Sequence, residues 1–378
     1  MSSRTRTALT WFLALLGALA LTASAIVHTR AGAQDFSAYY SAVGRFLSGQ
    51  AFYVDERIYA YKYAPITILY FLPFHFFDLG TARALFTLLQ LAAVLACPFL
   101  LSRVLRAPTL GWGLFLGFLA SLRFVDGEFR AGNCGIWVVF GCLVAALCLR
   151  NARSRFWGPL VQGLSVVVKV HALVSFVSFR WEKDRRTFLA LGATALVLLF
   201  IPNPLLWPAW WTQLQETGKY AVFRDSDLNL QGFYAWGSRF LRWDPTSHRS
   251  LLLALPFGLW AFAKLPRFTL DEAGKHTGVF FLTISCWLLW ASLSSPLPWQ
   301  HTYSGMWVFF PLSWHYATRR ERGLLAVIAL VIALTPVDII GRPLATPFES
   351  HQGIFACLLA FWILLVQQAS RIAQRSTQ

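Results

Sequence analysis

The feature that most constrains this chain is the recurrence of long apolar runs from one end to the other. They lie at about 11–28, 65–78, 82–102, 109–125, 133–150, 156–180, 187–202, 248–264, 277–294, 301–317, 323–340 and 351–369. A helix needs about 20 apolar residues to cross a bilayer core of about 30 Å, and most of the runs approach that length. Within them Leu, Ala, Val and Phe follow one another without the alternation a membrane β-barrel strand requires. Backbone groups inside a bilayer must satisfy one another, so the expected fold is an all-α polytopic membrane protein. Composition agrees, at 57% hydrophobic and 13% charged, against roughly 25% charged in an ordinary soluble domain. The even spacing of the runs predicts one transmembrane domain over residues 1–378 rather than several soluble units.

A net charge of +16 would suit nucleic acid if it lay on one face. Instead the basic residues form short clusters between apolar runs: Arg103/Arg106, Arg150/Arg153/Arg155, Arg180/Lys183/Arg185/Arg186, Lys264/Arg267/Lys275, Arg319/Arg320/Arg322 and Arg371/Arg375. That is the positive-inside pattern. One topology places every cluster in the cytoplasm with both termini, on two conditions. Residues 65–78 must lie at the outer surface without crossing; 14 residues make only roughly 21 Å of helix, and Pro65, Pro73 and His75 interrupt them. Residues 156–180 must break near Lys169-Val170-His171 and return, because polar groups at that depth survive only along a protein cavity. The result is about twelve crossings of the plasma (inner) membrane, some short or broken. A competing topology, with 65–78 crossing and 156–180 as one span, leaves Arg103, Arg106, Arg150, Arg153 and Arg155 outside. Arg4, Arg6 and Ala23-Ser24-Ala25 resemble a secretory signal, but the length of the run and the spans after it favour a first transmembrane helix. The six cysteines, at 97, 134, 142, 148, 286 and 357, have no metal or redox spacing and read as small core residues.

Two long segments then lie outside, about 29–81 and 203–247. Loops this long are more often functional than idle. The cytoplasmic links hold no GxxxxGK[ST] or GxGxxG, which argues against a cytosolic nucleotide donor. Groups facing outward come from separate places: Asp35, Asp55/Glu56, Lys62, Asp126/Glu128/Arg130, Lys169/His171, Asn229/Gln231 and Trp299/His301. Ionisable groups at a membrane edge are costly and usually functional. Each has a plainer alternative. Asp35 can cap a helix over 36–48, Lys62 can anchor an aromatic belt, Glu128 and Arg130 can pair, and His301 can open a helix.

Four stretches carry a family resemblance. They are Asp35-Phe36-x-x-Tyr39-Tyr40 with Leu47–Tyr53 and Tyr61-Lys62-Tyr63-Ala64-Pro65, the Gly132-Asn133 turn, Lys169 after an apolar run, and Ser295-Pro296-x-x-Trp299-x-His301-x-Tyr303. With these the chain resembles the GT-C glycosyltransferases that use polyprenyl-phosphate sugars, most closely the family 87 (DUF2029) group with its polyprenyl-phosphomannose-dependent α-mannosyltransferases. It departs from that pattern at Gly132-Asn133-Cys134-Gly135, where the family has Gly-Gln-x-Asn. It departs again at Lys169-Val170-His171, which lacks a proline, and at Thr302, where a second histidine is common.

The resemblance implies a GT-C-like fold with surface helices in the first outer loop and a second acidic loop at Asp126–Arg130. It also implies transfer of a hexose, mannose foremost, from a polyprenyl-phosphate donor to a glycolipid or glycan acceptor on the outer face, with inversion. Asp35 and His301 are the expected catalytic residues, Asp35 as base. Tyr39, Tyr40, Lys62, Asp126, Arg130, Asn133, Lys169, His171, Asn229 and Trp299 are the expected donor-phosphate and substrate contacts. A phosphate leaving group does not demand a metal, and none is expected, nor any other cofactor. Two alternatives are a lipid-linked sugar flippase, which would usually show internal repeats, and a lipid-linked glycan polymerase or ligase.

Overall fold

The structure is a computed structural model that describes residues 17, 19–27, 34–54, 61–107, 111–183, 185–222, 231–243, 249–295, 300–336, 339 and 341–376. Among these the chain is helical throughout; its extended pairing is an isolated bridge between Phe179 and Phe268. Helical residues 19–27 come first, with Leu21 and Ala25 buried. Helix α1 (Gln34–Leu47) follows. Residues Pro65–Phe76 then form a 3₁₀ turn, one α-helical turn and a second 3₁₀ turn. Pro73, inside the stretch, has no N–H to offer, so a continuous α-helical ladder cannot be kept, and the stretch spans only about 20 Å.

Helix α2 (Leu79–Leu105) begins at Asp78, whose Oδ1 accepts from Gly80 N at 2.9 Å and Thr81 N at 3.0 Å. That cap satisfies donors the helix itself leaves open. Helices α3 (Gly111–Ala131) and α4 (Gly135–Arg150) meet at a bend of 114°. Gly132, at φ +67°, makes the elbow in a left-handed conformation that a side chain would strain.

Helix α5 (Trp157–Val168) stops at an extended Lys169, and a 3₁₀ stretch, Val170–Ser178, follows. Gln162 Nε2 donates to Ser175 Oγ at 2.7 Å, a contact that a straight continuation would hold about 20 Å apart. Arg155 pairs with Asp271 and Arg180 with Glu272, adjacent residues of the short helix Leu270–Lys275. Residues 156–180 therefore leave and return at one end of the bundle, as the charge pattern required. Arg150 Nη1, bonded to Arg103 O at 2.6 Å, joins the basic clusters at that end.

The remaining helices are α6 (Arg185–Phe200), α7 (Trp207–Val222), α8 (Phe233–Leu241), α9 (Ser250–Lys264), α10 (Thr277–Leu293), α11 (Met306–Tyr316), α12 (Arg319–Leu334), α13 (Arg342–Ser350) and α14 (Gly353–Ser376). Helix α10 is buried on every side, between the 170–178 stretch, α4 and α14. Helix α11 lies so close to α3 that a Cβ on Gly113 or Gly117 would come within 2.7 Å of Trp314 or Pro311. Two interior tryptophans have their N–H groups paired, Trp362 Nε1 with Cys286 O and Trp307 Nε1 with Val94 O, both at 2.7 Å. An unpaired donor there would cost several kcal/mol, on the order of 2–7. Outward faces carry Leu88, Leu95 and Phe99 on α2, Leu252, Leu255 and Leu259 on α9, and Val327, Leu330 and Leu334 on α12, all exposed. Apolar surface on that scale suits lipid rather than water.

Among the described residues α2 and α14 are long and apolar enough to cross a membrane, and the bent α3–α4 pair makes a third candidate. The other helices are shorter or interrupted, so about twelve crossings is more than helix length alone establishes.

Candidate active site

Rings on α1 set the site. Phe36 stacks on Phe86 at 4.8 Å and meets Phe74 edge-on at 5.7 Å. This aromatic cluster fixes the rotation of α1, so Asp35 and Tyr39, four residues apart, share one face. Asp35 lies within the first turn of α1, a helix that starts at Gln34 rather than after Asp35. Its carboxylate reaches across to the α3–α4 elbow, where Asn133 Nδ2 donates to Oδ2 at 2.8 Å.

The orientation of that amide follows from its other end. Asn133 Oδ1 accepts from the backbone N–H of Cys134 at 2.7 Å and from Tyr63 OH at 3.2 Å. A backbone N–H can only donate, so the opposite atom must be the NH₂ group, and Asp35 meets an obligate donor. Tyr39 OH extends the chain to Tyr63 OH at 3.0 Å. Burial pushes both phenols far above the usual tyrosine range, so they remain donors. Gln90 Nε2, from the middle of α2, holds Asn133 O at 2.5 Å. Oδ1 of Asp35 makes no hydrogen bond among the described residues. One oxygen is thus held in place and the other is not.

Two lysines approach from different elements. Lys62 precedes the 65–76 stretch, and its carbonyl accepts from Trp210 Nε1 of α7 at 3.0 Å, which ties α7 to the segment before Pro65. Lys169 is buried at the break after α5. Burial lowers the Lys62 ammonium below the ordinary lysine range; the carboxylate of Asp35 opposes this and the charge of Lys169 adds to it. Neither ammonium has a hydrogen-bonded or ion-paired partner among the described residues. Lys62 thus lies within electrostatic reach of both Asp35 and Lys169.

The acidic stretch 126–130 divides by helical phase. Successive residues turn about 100°, so Glu128 faces opposite to Asp126 and Arg130. Glu128 is fully buried, with Oε1 accepting from Ile136 N at 3.1 Å. Asp126 Oδ1 instead accepts from Ser24 Oγ at 2.6 Å, joining α3 to helix 19–27. Arg130 is exposed, and it does not pair with Glu128. Asp126 and Arg130 were the expected contacts; Glu128 is the residue the fold brings in. Its signal in the sequence was its phase on α3, two residues from each of them.

Tyr40 also turns away, its OH bonded to Phe77 O at 2.7 Å and its ring over His75. Asp35, Lys62, Tyr39, Asn133 and Lys169 thus come together, and Asp126, Arg130 and Tyr40 do not. The 3₁₀ turn Gln300–Tyr303 packs on α3, and the OH of Tyr303 bonds Gln231 O. Gln231 Nε2 donates to Glu349 O at 3.1 Å, and Glu349 is ion-paired to Arg123 of α3. This knot puts the backbone of His301 beside the elbow. The side chains of His171 and His301, and all of Asn229 and Trp299, lie outside the described residues.

A helical membrane bundle with a held carboxylate and two lysines near one elbow has the kind of polar centre a membrane enzyme needs. The family model described as glycosyltransferase family 87 matches residues 61–296, and the chain belongs to that family. It is a glycosyltransferase. It is 25% identical over 339 residues to the polyprenol-phosphate-mannose-dependent alpha-(1-2)-phosphatidylinositol mannoside mannosyltransferase of Mycobacterium tuberculosis, covering 81% of this chain and 75% of the relative. The protein of the same description from Mycolicibacterium smegmatis is 24% identical, over 80% of this chain and 74% of the relative. No solved structure matches the chain at a significant level.

Proposed function

We propose that the protein is a single-domain membrane enzyme that transfers a hexose, mannose foremost, from a polyprenyl-phosphate donor to a glycolipid or glycan acceptor, with inversion. The reaction is placed on the outer face, with about twelve crossings and both termini cytoplasmic. The observation that carries this reading is the Asp35 carboxylate, held by Asn133 at 2.8 Å with its other oxygen unbonded, beside the unpaired ammoniums of Lys62 and Lys169. The names of the relatives support the donor, and their phosphatidylinositol mannoside acceptor supports a glycolipid.

In this reading the acceptor hydroxyl gives its proton to Asp35 Oδ1 as its oxygen bonds the anomeric carbon. The bond from that carbon to the phosphate oxygen breaks, and its electron pair leaves with the phosphate. The phosphate gains one negative charge as Asp35 loses one, so the total charge of the pocket stays constant. Lys62 and Lys169 stabilise the charge that grows on the leaving oxygens. Catalysis then needs charge moved across a short distance rather than created in a low-dielectric site. His301 is assigned a catalytic role beside Asp35, and His171, Asn229 and Trp299 are assigned to donor and substrate contacts.

The test is a purified-protein assay with radiolabelled polyprenyl-phosphate mannose and its glucose and arabinose counterparts, each with and without a phosphatidylinositol mannoside. Acceptor-dependent transfer from the mannose donor is expected. Movement of the donor across a vesicle membrane with no transfer would replace this reading with a flippase.

A further inference from the structure

Gln90 lies in the middle of α2, one of the helices long and apolar enough to cross a membrane. Two hydroxyls of that helix turn back on its own backbone: Thr87 Oγ1 donates to Arg83 O at 3.0 Å and Ser102 Oγ to Phe99 O at 2.7 Å. Gln90 instead reaches out. It is fully buried, and its Nε2 donates to Asn133 O at the elbow at 2.5 Å. A carbonyl can only accept, so the end of the amide facing it is the NH₂ group. Oε1 then has no hydrogen-bond partner among the described residues. Burying an unpaired amide oxygen costs free energy that an apolar residue of the same size would avoid. Packing of α2 therefore does not account for a glutamine here, and what its bonded end holds does. Gln162 and Gln368 also have one unpaired end, but their other ends hold the hydroxyls of Ser175 and Ser313, not the elbow.

The peptide groups of Asn133 are fixed on both sides, its N–H donating to Glu128 O at 3.2 Å and its carbonyl accepting from Gln90. With that backbone fixed, the bond from Cys134 N to Oδ1 leaves the side chain one direction, and Nδ2 points at Asp35. Resting on the reading that Asp35 is the base, we infer that Gln90 is a positioning residue that aims Asp35 through Asn133. Three parts of the bundle then meet in one line: α1 supplies the carboxylate, the α3–α4 elbow supplies the amide, and α2 holds the elbow. Without Gln90 the 133 carbonyl is released, the elbow can rotate, and Nδ2 leaves the line to Oδ2. A misaligned base loses rate rather than substrate affinity.

Gln90→Met keeps the length of the side chain and removes both polar ends. The kcat, donor KM and acceptor KM are measured in detergent for wild type, Gln90→Met, Asn133→Ala and the double variant, with a thermal melt of each. Gln90→Met should lower kcat about 10- to 100-fold, leave both KM values within about 2-fold, and keep the melting temperature within about 4 °C. Asn133→Ala should lose kcat on the same scale, and adding Gln90→Met to it should change kcat by less than about 2-fold. If Gln90→Met does not fold, Gln90→Leu takes its place. Wild-type kcat in the Gln90 variant overturns the inference, as does an equal loss with and without the Asn133 side chain. Failure of both Gln90 variants to fold overturns it too, in favour of a purely structural glutamine. If Asn133→Ala itself keeps wild-type kcat, the reading of Asp35 as a base held by Asn133 fails instead.

Discussion

Asn133 Nδ2 donates to Asp35 Oδ2 at 2.8 Å, while the backbone N–H of Cys134 occupies the other end of the same amide at 2.7 Å. The amide cannot turn over without facing two donors at each other. Asp35 is therefore held by a group whose orientation is fixed within its own turn. The site consequently depends on the α3–α4 elbow as much as on α1. Each part of that dependence can be measured.

Asp35→Asn should leave the fold intact, because the new amide can present its oxygen to Asn133. Transfer should fall by about 10²–10⁴-fold, the usual contribution of a positioned base. Initial rates with purified donor, beside a thermal melt of the variant in detergent, check both halves. Near-wild-type transfer would remove Asp35 from the chemistry.

Asn133→Asp keeps the bond from Cys134 N but sets a second carboxylate 2.8 Å from Asp35. Like charges that close cannot both ionise easily, so the Asp35 proton would be held to higher pH. A base works only when deprotonated. The acidic limb of the kcat/KM profile should then move toward neutral pH, and activity at the alkaline end should suffer less than activity at the acidic end. An unmoved limb would show that Asn133 does not act through Asp35.

Lys62 is pushed below the ordinary lysine range by burial, and Lys169 pushes it further. Donor binding that needs its ammonium should be complete below that lowered value and lost as pH rises through it. The loss should therefore begin at a lower pH than an exposed lysine would give. Lys169→Met removes one repulsion and should move this basic limb upward. Donor affinity measured from neutral to strongly alkaline pH, in both proteins, is the check.

Gly135→Ala would place a methyl group 2.9 Å from Glu128 Oε2 and Ser304 Oγ and 3.0 Å from Glu128 Oε1. Buried side chains pressed that closely must shift, and overpacking of this kind typically costs about 1–3 kcal/mol. A lower melting temperature together with reduced transfer is expected. Unchanged stability would mean that the elbow is looser than its geometry.

The chain by itself determined a good deal. Apolar runs dictated a helical membrane bundle, since no other fold lets such runs satisfy their backbone in lipid. The basic clusters required residues 156–180 to fold back, and the bonds from Gln162 to Ser175 and from Arg180 to Glu272 are that return. Asp35, Lys62, Asn133 and Lys169 were legible because each is polar where an apolar run begins, ends or breaks. Only the tertiary structure decided which neighbours of those residues face inward. Between 126 and 130 the sequence offered three ionisable groups, and helical phase sent Glu128 into the elbow while Asp126 turned to Ser24 and Arg130 to the surface. Gln90 passed as one polar residue in a long apolar run until the packing of α2 brought it to Asn133 O. The sequence sets what each element can bury. Which side chains meet is set by the rotation and approach of elements far apart in the chain, and those are fixed by contacts such as Phe36 on Phe86 that local pattern does not contain.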